Sequence, residues 1–349
     1  MGKRGDCLGK KAKSLLKIAA VYLGTVLGAG FASGQELVLF FARFGKRGFI
    51  GCLVAGCLFC LLGALVLSKS NKLTEKTHRR YLESVFKPHT AALLAFATEL
   101  FLCVGFCIML SGSGAFFKER FNLPAWVGII ATAFICLFVF TRGVSGLSVV
   151  NLILTPIMIV GTLYICLYTI ITENTAAWLP HIHPHGLFLP YALFYVGYNL
   201  LTATAVLVPT SALADTPKTA AWGGVLGGAA LSVMALLCCI TLSMHTELWN
   251  SALPLLLLSQ TAGRLAYYTY SAVLYMAMLT TAVSTGFSVA EWLVAKGFTK
   301  KKAAYTVCLT AIPLSFVEFS VLVQRCYVFF GVLGICLISG ILWDWYKTA

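Results

Sequence analysis

Apolar residues in this chain do not recur with the period of a half-buried helix. They run on in blocks of about 17 to 30 residues separated by short polar stretches. Ten blocks stand out: 15–44, 48–68, 89–115, 125–141, 147–172, 187–211, 219–243, 265–292, 303–322 and 325–345. At about 1.5 Å per helical residue, such blocks are of a length to cross a hydrocarbon layer ~30 Å thick. The pattern predicts an all-α polytopic membrane protein with ten transmembrane helices. The basic start leads straight into a full-length span, so no cleaved signal peptide is expected.

The first block is interrupted at its middle. Gly24-Thr25-Val26-Leu27-Gly28-Ala29-Gly30-Phe31-Ala32-Ser33-Gly34-Gln35-Glu36 places four glycines and a serine at membrane depth. Glycine costs about 1 kcal/mol in a helix interior relative to alanine, so the cluster predicts a break. Freed backbone groups at that depth must face protein, water or a bound guest. The sixth block carries a second candidate break at Gly197-Tyr198-Asn199. The alternative there is an intact helix whose Phe194, Tyr195 and Tyr198 pack as aromatics.

Composition agrees with the pattern: 59% of residues are hydrophobic and 11% charged, and mean hydropathy is +0.88. The formal net charge of +14 needs a reason. Of 26 Lys and Arg, all but Arg43, Lys46, Arg47, Lys118, Arg120, Arg264 and Arg325 fall on the side of the two termini. The excess therefore reads as a topology signal, with both termini cytoplasmic in a multi-pass protein of the cell membrane, and as contact with anionic lipid. Its dispersal over loops argues against nucleic-acid binding. The thirteen cysteines sit mostly inside apolar blocks and read as small hydrophobes. Cys57 and Cys60 have redox spacing, but at lipid depth they read as packing.

Polar residues inside the blocks are the functional candidates. Gln35 and Glu36 follow the first break and are candidate gating residues; Glu36 either works in the site or pairs with Arg43 or Lys46. Glu99 lies about ten residues into the third block and either handles solute, proton or ion, or makes a structural hydrogen bond. Thr280, Thr281, Ser284 and Ser288 lie near one face of the eighth block. Their hydroxyls either ligate a hard cation or bond back to their own helix. His181, His183 and His185 could form a zinc site or an ordinary polar loop. The apolar stretch 253–258 is too short to span and predicts a surface helix or lid.

Breaks near residues 29 and 198 divide the chain into matching halves. A basic tail (1–14) and a first five-helix repeat (15–172) precede an extracellular loop (173–186) and a second repeat (187–349). Five crossings per half make the repeat an inverted one, with broken helices 1 and 6. Gly-interrupted spans in corresponding positions point to the binding site of a secondary transporter. On these residues the chain resembles the LeuT-type transporters of the amino acid–polyamine–organocation superfamily. Gly28-Ala29-Gly30-Phe31-Ala32-Ser33-Gly34-Gln35-Glu36 resembles more narrowly an uncharacterised bacterial branch of membrane proteins. The resemblance implies a sodium site made by the carbonyls of Gly24, Leu27 and Ala277 and the hydroxyls of Thr280 and Thr281. No lysine is available in the fifth span, where proton-coupled relatives place one. Phe31 stands where some amino acid symporters have an Asn that binds a second sodium.

The expectation is a cation-coupled, sodium-using secondary transporter of a small polar or zwitterionic solute, such as an amino acid, working by alternating access. Gly28, Ala29, Gly30, Phe31, Ser33, Gly34, Glu99, Tyr195, Gly197, Tyr198 and Asn199 would contact the solute. No cofactor beyond Na⁺ and no catalytic residue is expected. The alternative is a non-transporting sensor or receptor on the same scaffold; a membrane enzyme would need a polar cluster that the blocks do not offer.

Overall fold

A computed structural model of the chain describes residues 2–142, 147–173 and 187–348, with the side chains of 2–10 and 147–152 excepted. His181, His183 and His185 lie outside the described residues. The described chain is nearly all helix. The first apolar block forms α1 (Gly2–Val26), α2 (Ala29–Ser33) and α3 (Gln35–Phe40), and closes in a 3-10 turn, Ala42–Phe44. Then come α4 (Lys46–Lys72), the short α5 (His78–Val85), α6 (Pro88–Phe121), α7 (Ala125–Arg142) and α8 (Leu147–Thr172). The second half holds α9 (Phe188–Thr210), α10 (Pro217–Met244), α11 (Pro254–Leu258), α12 (Arg264–Ala295) and α13 (Lys300–Leu314). It ends with α14 (Phe319–Leu322), a π turn (Val323–Tyr327) and α15 (Val328–Thr348).

Eight helical stretches among the described residues are long and apolar enough to cross a membrane. The first and ninth blocks are the exceptions. The first is cut by its break. In the ninth, the expected span 303–322 stops at Leu314, one residue after Pro313. Its 15 helical residues reach about 22 Å, short of the ~30 Å core. The tenth starts earlier than expected, at Phe319, and carries the π turn.

Helices α1, α4, α9 and α10 pack as one group, and α6, α7, α12 and α13 as another; α8 lies on α12 and α10, and α15 on α9. Between apolar helices in lipid there is no hydrophobic drive, so close approach and dispersion hold the seams. The α4–α10 seam shows this. A Cβ on Gly228 would stand 2.6 Å from the backbone nitrogen of Cys60, and one on Gly224 2.6 Å from the Gly63 carbonyl carbon. Tyr22 of α1 closes the group, its hydroxyl donating to the Phe59 carbonyl at 3.0 Å. At the end where α4 finishes, Lys69 bridges to Asp344 at 2.6 Å and donates to the Ser84 carbonyl.

The expected break in helix 6 is absent: α9 runs unbroken through Gly197, Tyr198 and Asn199. Gly197 serves helix crossing instead. A Cβ there would lie 2.5 Å from the Gly331 carbonyl oxygen and 3.2 Å from the Gly334 backbone, and a Cβ on Gly334 would collide with the backbone of Gly197; Gly331 and Gly334 are both on α15. Asn199 turns its amide back onto the Tyr195 carbonyl at 2.9 Å, which leaves the helix continuous. Gly28 is the opposite case, with nothing within 4 Å of an added Cβ and ordinary extended dihedrals. Gly197→Ala is therefore expected to cost about 1–3 kcal/mol, or to splay α9 from α15, whereas Gly28→Ala leaves stability unchanged. Thermal or chemical unfolding of the two purified variants checks the contrast.

Candidate functional site

The break in the first span is built by its own backbone. The Gly28 N–H turns to the Val26 carbonyl at 2.8 Å, so it does not serve Gly24, its partner in a continuous helix. The chain resumes helix when the Ala32 N–H reaches the Gly28 carbonyl. Ser33 donates its hydroxyl to the Gly30 carbonyl at 2.7 Å and accepts from the Gln35 N–H. Gly34, at φ 84°, then turns the chain into α3, a conformation that L side chains resist. α11 seals this turn as a lid: Leu255 stands 2.8 Å from the Cβ position of Gly34, and Pro254, Leu255, Leu256 and Leu258 are buried.

The residues expected to contact solute therefore separate. Ala29, Gly30, Phe31, Ala32 and Ser33 are buried in protein, and only Gly28 borders open space. Gly30 is filled from the side by the Glu36 carboxyl: an added Cβ would collide with Oε1 and would lie 3.2 Å from the Tyr327 hydroxyl. Glu36 is 5% exposed. Its partner is neither Arg43 nor Lys46 but Tyr198, whose hydroxyl donates to Oε2 at 2.5 Å. Arg43 lies over the rings of Phe44 and Tyr191 instead.

An aromatic layer surrounds this carboxyl. Tyr198 stacks on Tyr327 at 4.5 Å and on Phe40 at 5.6 Å, while Tyr195 meets Phe41 edge-on at 4.9 Å. Phe101 of α6 reaches Tyr198 at 5.9 Å and Phe330 at 4.6 Å. These spacings are ring-on-ring contact. The Tyr195 hydroxyl and Gln35 Oε1 are buried there without a hydrogen-bond partner among the described residues. Tyr327 escaped the sequence reading; it reaches the layer because the π turn rotates it inward. Its only sequence signal is a hydroxyl-bearing ring amid an apolar block.

On the other flank, Tyr270 of α12 donates to the Ala32 carbonyl at 2.7 Å and meets the Thr162 hydroxyl of α8 at 3.3 Å. Thr155 of α8 faces Gly24 at 3.1 Å from its Cβ position. Further along α12, Thr280 bonds to the Ala277 carbonyl, Ser284 to that of Thr280 and Ser288 to that of Ser284. The back-bonding alternative thus holds for most of the hydroxyl string, although an oxygen that donates its proton keeps its lone pairs. Thr281 is half-buried and takes part in none of these bonds. Glu99 is half-buried on α6 and makes no ion pair among the described residues.

No family model matches the chain. It is 30% identical to the uncharacterized membrane protein YkvI of Bacillus subtilis (strain 168), over 94% of this chain and 95% of that protein. The chain belongs to the YkvI family. A second relative, YyaD of the same organism, is 23% identical over 94% of this chain and 96% of its own. Among solved structures, a variant of the Eremococcus coleocola manganese transporter superposes with a TM-score of 0.62 at 13% identity, covering 93% of this chain and 77% of that one. A Na⁺-coupled sialic acid symporter gives 0.59 at 14% identity, covering 96% and 84%. The inward-facing form of Mhp1 gives 0.57 at 14%, covering 95% and 76%. At such identities the likeness carries the fold alone: this YkvI-family member shares the helical fold of these solved transporter structures.

The Gly30–Glu36 contact makes a direct prediction. Gly30→Ala should destabilise the protein by about 1–3 kcal/mol, because the carboxyl must leave its place and strain its bond to Tyr198. In a Glu36→Ala background the same substitution should cost much less, leaving a coupling of about 1 kcal/mol or more. A double-mutant cycle on unfolding midpoints measures it; additive effects would contradict the contact.

Proposed function

We propose that the chain is a cation-coupled secondary active transporter of a small polar or zwitterionic solute, such as an amino acid, with sodium as a coupling ion. The observation that carries the reading is the break at Leu27–Gly28, where the Gly24 carbonyl loses its helical donor and Gly28 opens onto free space. Such a gap offers bare peptide oxygens to a guest. The transporter fold supports it.

In this reading α1 to α3 make one crossing and the segment of α13 another. The ten crossings form a five-plus-five inverted repeat with both termini cytoplasmic. Sodium is held by the carbonyls of Gly24, Leu27 and Ala277 and the hydroxyls of Thr280 and Thr281. Hard oxygen donors suit that ion, and no charged side chain is needed. Solute sits against Gly28, with Glu99 a candidate for selectivity. The aromatic layer over Glu36, sealed by α11, is the outer gate. Rocking the α1, α4, α9, α10 group against the α6, α7, α12, α13 group alternates access. The glycine seams let the first group move as a unit.

Proteoliposomes carrying the purified chain, given labelled amino acids under an inward sodium gradient, should accumulate at least one of them. Thr281→Val should weaken the sodium dependence roughly tenfold, the worth of one oxygen ligand at ~1.4 kcal/mol. Solute binding without gradient-driven uptake would favour the sensor alternative, and neither binding nor uptake would reject both.

A further inference from the structure

The Glu36 carboxyl is a charge problem that a sodium site does not address. It lies within a membrane-spanning block, 5% exposed, and forms no ion pair among the described residues. An uncompensated carboxylate in such surroundings is very costly, so the group must hold a cation or a proton. The packing decides between them. Oε2 takes the Tyr198 hydroxyl at 2.5 Å. Oε1 fills the place of a Gly30 side chain. The rings of Phe40, Phe101, Tyr195, Tyr198 and Tyr327 stand 4.5–5.9 Å apart around it. With Oε2 on the Tyr198 hydroxyl and Oε1 against the Gly30 backbone, a proton fits this packing better than an ammonium group or a hydrated metal ion does.

The titratable neighbours offer no counter-charge. α9 contributes Tyr195 and Tyr198, the π turn Cys326 and Tyr327, and beyond Tyr195 lie Cys52 of α4 and Cys238 of α10. Arg325, on the same π turn, is exposed. The elements that meet at Glu36 are α2, α3, α9 and the π turn. The layer over them also spans the two packed groups, Tyr198 on α9 meeting Phe101 on α6, so a motion that parts the groups opens it to water.

We propose that Glu36 is a proton-binding site, loaded while the aromatic layer is closed and emptied when it opens. A proton from water forms an O–H bond on the carboxylate as the layer shuts. It returns to water when the aromatic layer parts and the carboxylate is hydrated. The consequence that a proton moves with each transport cycle rests on the transporter reading; the loaded carboxyl itself does not.

Infrared spectroscopy of the full-length protein in lipid nanodiscs at about pH 7, where a free glutamate is ionised, tests this without any solute. The wild-type minus Glu36→Gln difference should show the carbonyl stretch of a protonated carboxyl. Tyr198→Phe keeps the acid but removes its donor, so that band should persist and move to higher frequency. If Glu36→Gln fails to fold, the shifted band in wild type minus Tyr198→Phe carries the same information. A difference spectrum showing only carboxylate bands, or a Tyr198→Phe spectrum identical to wild type, would overturn the proposal. Either result leaves the uptake experiment untouched, and absent uptake leaves the infrared band untouched.

Discussion

A carboxyl group sealed inside a membrane protein, with no basic partner among the described residues, sets the terms for the rest of this structure. Glu36 can be housed only because Gly30, six residues earlier, has no side chain, and because Tyr198 supplies a donor from another helix. Gly30 and Glu36 come together only because Gly34 turns the chain at positive φ. Ser33 bridges the turn, donating to the Gly30 carbonyl and accepting from the Gln35 N–H, and Leu255 seals it. One polar group thus dictates a broken helix, a lid and an aromatic layer.

The two halves of the chain solve the same problem differently. The first opens its leading helix, whereas the second keeps α9 intact and puts its irregular backbone in the π turn ahead of α15. The Gly197, Gly331 and Gly334 contact explains the difference: α9 and α15 approach so closely that unwinding α9 would dissolve their seam. A π turn rotates Tyr327 into the layer without breaking the helix ladder. The irregularities of both halves therefore converge on Glu36, while the open space lies at Gly28. The sealed carboxyl and the open space are separate places on one apolar block.

Much of this was legible in the sequence, for identifiable reasons. Apolar block length predicts ten spans, of which eight appear among the described residues as helical stretches long and apolar enough to cross a membrane; the glycine cluster at 24–34 predicts the break, because four glycines at membrane depth have few other uses. The same signal misled at Gly197, since glycine serves unwinding and close crossing alike and only the partner helix tells them apart. The ninth span fell short because Pro313 stands beside its last helical residue. The partner of Glu36 was illegible: Arg43 and Lys46 are nearer in sequence than Tyr198, but they lie beyond the turn, and Arg43 faces rings. A polar, flexible stretch such as Ser33-Gly34 reads as solute-facing, whereas the structure also uses both residues to make the turn into α3, a role that only the partners Gly30, Gln35 and Leu255 reveal.

The central claim is that the gap beside Gly28 holds the guest. The most direct test is a thermal-shift screen of purified wild type and Gly28→Leu against amino acids, with and without sodium. The account predicts similar midpoints for the two proteins alone, because a Cβ at Gly28 meets nothing within 4 Å. It predicts a sodium-dependent rise with at least one solute in wild type and none in Gly28→Leu. The same ligand-induced rise in both proteins would contradict it.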